Sequence, residues 1–468
     1  MTRPGRTGRA FSKFSARMIL VLVVIGFCTV LLGRLQFGIW FNPVSAYSAI
    51  WTISLSLFEM KLIYFYPLAP ETWAVIFAGW TSFILGCLAV TAARFATRPA
   101  YSPVPQAAGT VEFSPEEIVL LRRVLWVLNT VALVIAVQHI TTILRKFGNI
   151  GSLVVFAQTV YETRTRKGIE GAVPYFGSAM LIGSLVGGIY SSAMGKLKLA
   201  GVLPVVLTVA VSFAEMGRMS MMIAVLMFVT GYVLNRRRVR APEQISVFSL
   251  RVRRIIALAM VLVIVGGGAE LVRSARVPFE QFAGTTRALS KLRGGSFVTP
   301  SVYLYMTGHH GALNQYLRQD VEHSLPGGFT FAPIWRLLSK LGYDTYVDQY
   351  QRFYRTPTPS NTGTYLRELH ADWGLPGVVF GPFILGMLIS VSWYRTMTRH
   401  RMVDYVIAAH LFVAVVMSYV DLVTQLGYWL ASLVFGLIAA AVYDRRTMKI
   451  SGARHGPAAE PAGPGGVA

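Results

Sequence analysis

The chain has 468 residues, 54% of them hydrophobic and 14% charged, with mean hydropathy +0.52 and a formal net charge of +23. Soluble domains average about 45–50% apolar residues even with Gly counted, so this composition excludes a water-soluble globular protein. The positive balance does not indicate a nucleic-acid binder: no soluble domain is left to form one, and much of the charge sits in short loops beside apolar runs. A cationic excess in one long loop still calls for an anionic partner, with lipid headgroups or a lipid diphosphate as the better candidates.

Residues 1–17 carry Arg3, Arg6, Arg9, Lys13 and Arg17 ahead of an apolar run that starts at Met18. No small-residue cleavage site follows, so a retained first span is expected. Eleven apolar runs are read as spans: 18–33, 46–66, 71–93, 124–143, 173–194, 199–213, 219–235, 255–272, 375–394, 403–420 and 424–443. Crossing roughly 30 Å of hydrocarbon takes about 20 helical residues, and the shorter runs need tilt or local thinning. The expected fold is all-α, a polytopic helical membrane protein. It divides into helices 1–8 (1–272), one large polar loop (273–374), helices 9–11 (375–450) and a Gly/Pro/Ala-rich tail (451–468) expected to be disordered.

Positive loops mark the cytoplasmic side. The loop 236–254 holds Arg236, Arg237, Arg238, Arg240, Arg251, Arg253 and Arg254 against Glu243. Counting from it, the loops at 94–123, Lys196/Lys198 and Arg395–Arg401, and the tail with Arg445, Arg446 and Lys449, also fall inside. Parity then puts 273–374 and the tight turn 214–218 outside. The basic N-terminal tail dissents, because eleven spans place it outside as well.

Phosphate-loop and dinucleotide glycine patterns, a nucleophile elbow and a metalloprotease helix are all absent. Gly266-Gly-Gly268 lies within a span and reads as a packing site or bend. Cys28 and Cys87 sit in apolar runs and read as small buried hydrophobes. No metal ligand set and no cofactor are expected. Arg218 stands in Phe213-Ala-Glu-Met-Gly-Arg-Met-Ser220, a turn between two apolar runs. Such an arginine is either an interfacial anchor, paired with Glu215, or a fork of donors aimed at a diphosphate oxygen. Membrane physics alone does not separate the two. Arg273 and Arg276 follow the next span at the same depth, with Arg287 and Arg293 deeper in the loop as weaker diphosphate candidates.

The loop also holds His309, His310, His323 and His370, half of the eight histidines. His309 and His310 are adjacent and diverge on any regular element, so they do not form a metal site. His370 lies with Glu368 and Asp372 near the resumption of the apolar run, where a general base would be useful. A hydrated helix cap explains each of these residues equally well. The loop's dense Tyr and Trp belong at a membrane interface and also suit stacking against sugars.

The order of these features resembles the bacterial oligosaccharide repeat-unit (O-antigen-type, Wzy-like) polymerases. The likeness lies in Phe41-Asn-Pro43 followed by Trp51, in the Gly217-Arg218 turn, and in the single long outer loop. Its last element is Pro357–Gly377, ending in Asp372-Trp-Gly-Leu-Pro-Gly377. The resemblance implies a metal-independent glycosyltransferase of the helical GT-C type in the bacterial inner membrane, its active site facing the periplasm. Undecaprenyl-diphosphate-linked oligosaccharide would be donor and acceptor, with membrane lipids around it and a chain-length regulator left open as a partner. It implies catalysis by Arg218, with His370 and Glu368 as guesses outside the matched motif. Diphosphate binding falls to Arg218, Arg273, Arg276 and Arg293, and glycan binding to Asn361, Thr364, Tyr365 and Asp372. Ligases of the same superfamily carry His-Asn where this chain has Ser360-Asn361, which counts against the alternative of an O-antigen ligase. A lipid-linked oligosaccharide flippase is the alternative from another class, and the chain's asymmetry speaks against it.

Overall fold

Backbone polar groups in hydrocarbon must be satisfied internally, which helices do within each segment. The computed structural model describes residues 7–62, 65–97, 113–157, 159–160, 163, 177–239, 300–319, 324–345, 347, 354–356, 359–360 and 362–454. Among these the protein is all-helical apart from a two-residue antiparallel ladder, Tyr354–Arg355 (β1) with Pro359–Ser360 (β2).

The first helices are α1 (Thr7–Phe37), α2 (Pro43–Glu59), α3 (Pro70–Thr97), α4 (Pro115–Phe147) and the short α5 (Ile150–Val155). Next come α6 (Ser178–Ala193), α7 (Leu199–Ala214) and α8 (Met219–Val239). The polar region contributes α9 (Pro300–Gln319) and α10 (Ala332–Lys340), and the chain closes with α11 (Tyr365–Arg399), α12 (Met402–Met417) and α13 (Gly427–Arg454). Six stretches among the described residues are long and apolar enough to cross a membrane: Ser15–Phe37, Pro70–Thr97, Pro115–Phe147, Met219–Arg236, Tyr365–Arg399 and Gly427–Met448. Three shorter apolar helices, α6, α7 and α12, pack among them. This is a helical membrane protein. Of the expected spans, 255–272 lies outside the described residues, as do 63–64 and 173–176; each of the others overlaps a helix, 46–66 running past the end of α2 at Glu59.

Small residues set how closely the helices approach. α6 is buried along nearly its whole length, and its Gly187 and Gly188 press on the backbones of α7 and α8. At the crossing of α3 and α11 a Cβ on Gly86 would run into the Phe383 carbonyl, and one on Gly386 into the Phe83 carbonyl. Two glycines facing across one contact let these backbones meet, as is common where lipid supplies no hydrophobic drive between helices. Local signals start the helices: Asn42 caps α2 by accepting from Ser45 N at 2.8 Å, and Ser114 with Glu117 forms a reciprocal capping box on α4.

The bundle has two distinct ends. At one, Gln36 donates to the Cys87 carbonyl (2.7 Å), Arg395 pairs with Asp404 (2.9 Å) and Asp444 accepts from Met402 N (2.8 Å). At the other, His139 pairs with Glu215 at 3.0 Å and the backbone N–H of Tyr365 donates to Ser418 O at 2.9 Å. Helix direction places the Thr7 end of α1 at this second end, with the 214–218 turn.

Two parts of the region expected as a polar loop are buried helix. α9 carries Tyr303, Thr307, His310 and Asn314, all fully buried. The first nine residues of α11 are set off from the long span by a break at Gly374 (φ 66°, ψ −151°), followed by Pro376. Positive φ there is readily adopted only by glycine. The break folds Tyr365–Asp372 into the protein instead of leaving a hydrated helix cap.

Candidate functional site

The 214–218 turn is built to hold Arg218 out from two helices. α7 ends with Met216 in the left-handed region (φ 52°), Gly217 N donates back to Ser212 O at 2.8 Å, and the Ser212 and Ser220 hydroxyls bond at 2.8 Å across the turn. This is a helix stop of the Schellman kind, with methionine in the place glycine usually takes. The neighbouring Glu215 is held by His139 of α4. Arg218 is half-buried, and its guanidinium carbon lies over the ring of Tyr305 on α9, 6.0 Å from the centroid.

Tyr305 opens a wall of rings. It meets His309, one turn along α9, edge to face at 5.5 Å, and His309 meets Tyr419 at 6.0 Å in the same geometry. The His309 Nδ1 lies 2.8 Å from the Thr362 hydroxyl, while its Nε2 is buried with no hydrogen-bond partner. An orphaned buried polar atom is costly, and this one leaves a ring nitrogen of His309 uncommitted. Burial drives the His309 imidazole down to about 4 despite backbone contacts that favour its charged form, so it is neutral near pH 7. Burial likewise raises the Tyr305 hydroxyl above its ordinary range, with Arg218 pulling the other way.

Behind this wall lies a second arginine. Arg367, on the buried start of α11, is only 2% exposed and sits over the rings of Tyr354 (4.7 Å) and Tyr316 (5.7 Å). Its charge acts on Asp421, in the turn between α12 and α13. Asp421 accepts from Leu422 N at 2.9 Å and from the Gln425 side chain. Burial pushes its carboxyl up to about 7, the Leu422 N–H, Arg367 and Gln425 holding it from going higher. The buried His309, Tyr419, Asp421 and Arg367 and the half-buried Arg218 and Tyr305 thus form one polar layer at a single end of the bundle.

The sequence-predicted residues divide. Arg218 lies in this layer. His370 is buried beside it, its Nδ1 3.0 Å from the Tyr316 hydroxyl, and Glu368 is buried on the same short helix. Thr364 is fully buried, with its hydroxyl unpartnered. The Tyr365 hydroxyl bonds Tyr47 at 2.8 Å. Asp372 accepts from Phe329 N (2.9 Å), Thr330 N (2.7 Å), the Thr330 hydroxyl (2.7 Å) and the Ser324 hydroxyl, fastening the segment before α10. Arg273, Arg276, Arg293 and Asn361 lie outside the described residues. His309 and His310 do point apart, His310 bonding Ser54 on α2 at 3.0 Å.

Sequence reasoning passed over Asp421 and Arg367. An acid in a three-residue turn was a usable signal in a chain with 21 acids against 44 bases. For Arg367 the one signal was its place in the Tyr365–Asp372 helix. Among the described residues no three His, Cys, Asp or Glu gather as metal ligands.

Comparison with family models, with characterised proteins and with solved structures returns no match.

Proposed function

We propose that the chain is a membrane glycosyltransferase that joins oligosaccharide units carried on a lipid diphosphate, as a repeat-unit polymerase does. One observation carries the reading. A half-buried arginine in a turn between two spans shares an aromatic layer with a buried, neutral imidazole whose Nε2 lacks a partner. That pairs a donor fork for a diphosphate with an acceptor for a proton, the two needs of glycosyl transfer from a lipid diphosphate.

In the proposed step the acceptor sugar hydroxyl attacks the anomeric carbon of the donor. Its proton passes to His309 Nε2 as the new C–O bond forms. The anomeric carbon–oxygen bond to the diphosphate breaks, and the lipid diphosphate leaves with the electron pair. Arg218 neutralises charge growing on the leaving oxygens, with Arg273, Arg276 and Arg293 as further candidates. An anion bound beside His309 favours its protonated form and raises its basicity toward the working pH. Of the two nearby imidazoles His309 is preferred to His370, whose Nδ1 lies against Tyr316. In this reading the chain crosses the bilayer eleven times in a GT-C arrangement, with the Arg218 end facing outward from a bacterial inner membrane.

The test is purified protein in proteoliposomes with a synthetic polyprenyl-diphosphate oligosaccharide. A ladder of longer lipid-linked glycans supports polymerisation. Transfer to a different acceptor alone supports a ligase instead, and movement across the bilayer without bond formation supports a transporter.

A further inference from the structure

The apolar residues Phe331, Ile334, Leu337, Leu338 and Leu341 recur every three or four positions and line one arc of α10 and its ends. In a water-soluble surface helix this arc turns inward. Here it turns outward: Phe331 is 48% exposed, Ile334 48%, Leu337 58% and Leu341 68%. The opposite arc faces the protein, where Arg336 donates to Gln425 O at 3.4 Å, the Trp335 indole donates to Gly327 O at 3.1 Å, and Ala332 is fully buried. The helix is inverted relative to water.

The exposed arc continues into a membrane span. A Cβ on Gly327 would touch the Phe331 ring at 2.8 Å and the Trp373 ring at 3.0 Å, so these two side chains flank one glycine. Trp373 is exposed, and past the Gly374 break the exposed apolar face runs on through Leu375, Val379 and Phe380 of the span. The patch is thus an extension of surface that lies in hydrocarbon. Its aim is fixed, because Asp372 grips Phe329 and Thr330 immediately before the helix. Lys340, exposed at the helix end, has the reach and charge for a lipid phosphate.

We infer that α10 is an interfacial helix, seated in the headgroup–acyl boundary of the bilayer with Phe331, Ile334, Leu337 and Leu341 in lipid. It continues the lipid-facing side of the last third of the bundle at the end where Arg218 lies. This holds whether or not the chain transfers glycosyl groups.

The experiment uses full-length protein carrying Cys28→Ser, reconstituted in phosphatidylglycerol/phosphatidylethanolamine nanodiscs. A cysteine introduced at Leu337, Leu341 or, as a solvated control, Asp344 is labelled with an environment-sensitive fluorophore, the native Cys87 being buried. Only monodisperse preparations are read. Lipids spin-labelled near the headgroup quench Leu337→Cys and Leu341→Cys several-fold more than Asp344→Cys, and aqueous iodide shows the reverse order. Equal iodide quenching at all three positions would place the stripe in water and overturn the inference. Shielding of Leu337 and Leu341 from both quenchers would overturn it too, by showing protein over the stripe, either a second copy or another part of this chain.

Discussion

The guanidinium of Arg218 lies over the Tyr305 ring at 6.0 Å, the outer range of a cation–π contact. An arginine serving only as a membrane anchor extends toward the headgroups. This one leans back onto α9, over a tyrosine ring whose other contact is the buried His309 imidazole. In the proposed reaction it offers two parallel N–H groups to the departing diphosphate. Arg218→Ala is expected to lose about 2.7–4 kcal/mol of transition-state stabilisation, by analogy with other donors to developing oxyanions. Arg218→Lys keeps the charge without the planar fork and retains partial activity. The measurement is polymer length in cells, normalised to folded protein recovered from membranes. Normal polymer from well-folded Arg218→Ala would return the residue to an anchor.

His309 is the second test. With Nδ1 on Thr362 and Nε2 unpartnered, removal of the imidazole takes away the proton acceptor. His309→Gln keeps a polar side chain of similar length and is expected to lower turnover about 10²–10⁴-fold, the usual contribution of a general base. His370→Gln, which trades one contact to Tyr316 for another, is expected to cost far less. Initial rates of lipid-linked chain extension separate the two. The reverse ranking would move the base to His370.

The bundle was legible because hydrocarbon demands long apolar helices, and that demand writes itself into local composition. The buried polar contacts around α9 and α11 were not, because their partners are far apart in the chain. Asn314 accepts from Ala69 N and Thr72, His310 reaches Ser54, and Tyr365 N reaches Ser418 O. No window of sequence reports such pairings. α9 therefore reads as loop, since its buried polar groups lower its hydropathy while packing lies on several sides. Arg218 was visible as a charge where charge is expensive. Tyr305, over whose ring it lies, was one tyrosine among many.

Asp372 should act through structure. Its carboxylate holds four donors from Ser324, Phe329 and Thr330, and hydrogen bonds to a charged group contribute about 1.5–3 kcal/mol each. Asp372→Asn keeps the shape and replaces one acceptor oxygen with a donor. Backbone amides of Phe329 and Thr330 are then expected to exchange hydrogen faster by at least tenfold, ahead of any change in the spans. Unchanged exchange there would show that the segment is held by other contacts.

The α3–α11 crossing tests the fold itself. Alanine at Gly86 or Gly386 meets backbone carbonyls that cannot rotate away. Overpacking of this kind costs about 1–3 kcal/mol, so either variant lowers the midpoint of thermal unfolding in detergent. Gly177→Ala, with nothing within 4 Å of the added carbon, serves as the control. A midpoint for Gly86→Ala equal to the control's would mean the helices do not meet there.

The last prediction follows from burial of α9. Folding holds His309 down to about 4 and His310 to about 3, below the ordinary value of 6.5. Below pH 6.5 the unfolded chain takes up protons at both rings while the folded protein does not. Stability is therefore fully present above pH 6.5 and falls as pH drops toward 4, by at most about 1.4 kcal/mol per unit for each ring. Asp421 acts in the opposite sense: folded at about 7 against 3.8 unfolded, it binds its proton first in the native state and so strengthens folding over much of that range. Other carboxylates add slopes of their own, so the informative quantity is a difference. His309→Gln removes one titrating ring, and its stability should depend less steeply on acid than that of the parent between pH 6.5 and 4. Unfolding midpoints in detergent at pH 7.5, 6.0 and 5.0 measure both slopes. Parallel slopes would mean that His309 charges freely in the folded protein, which removes the burial that makes it a neutral base.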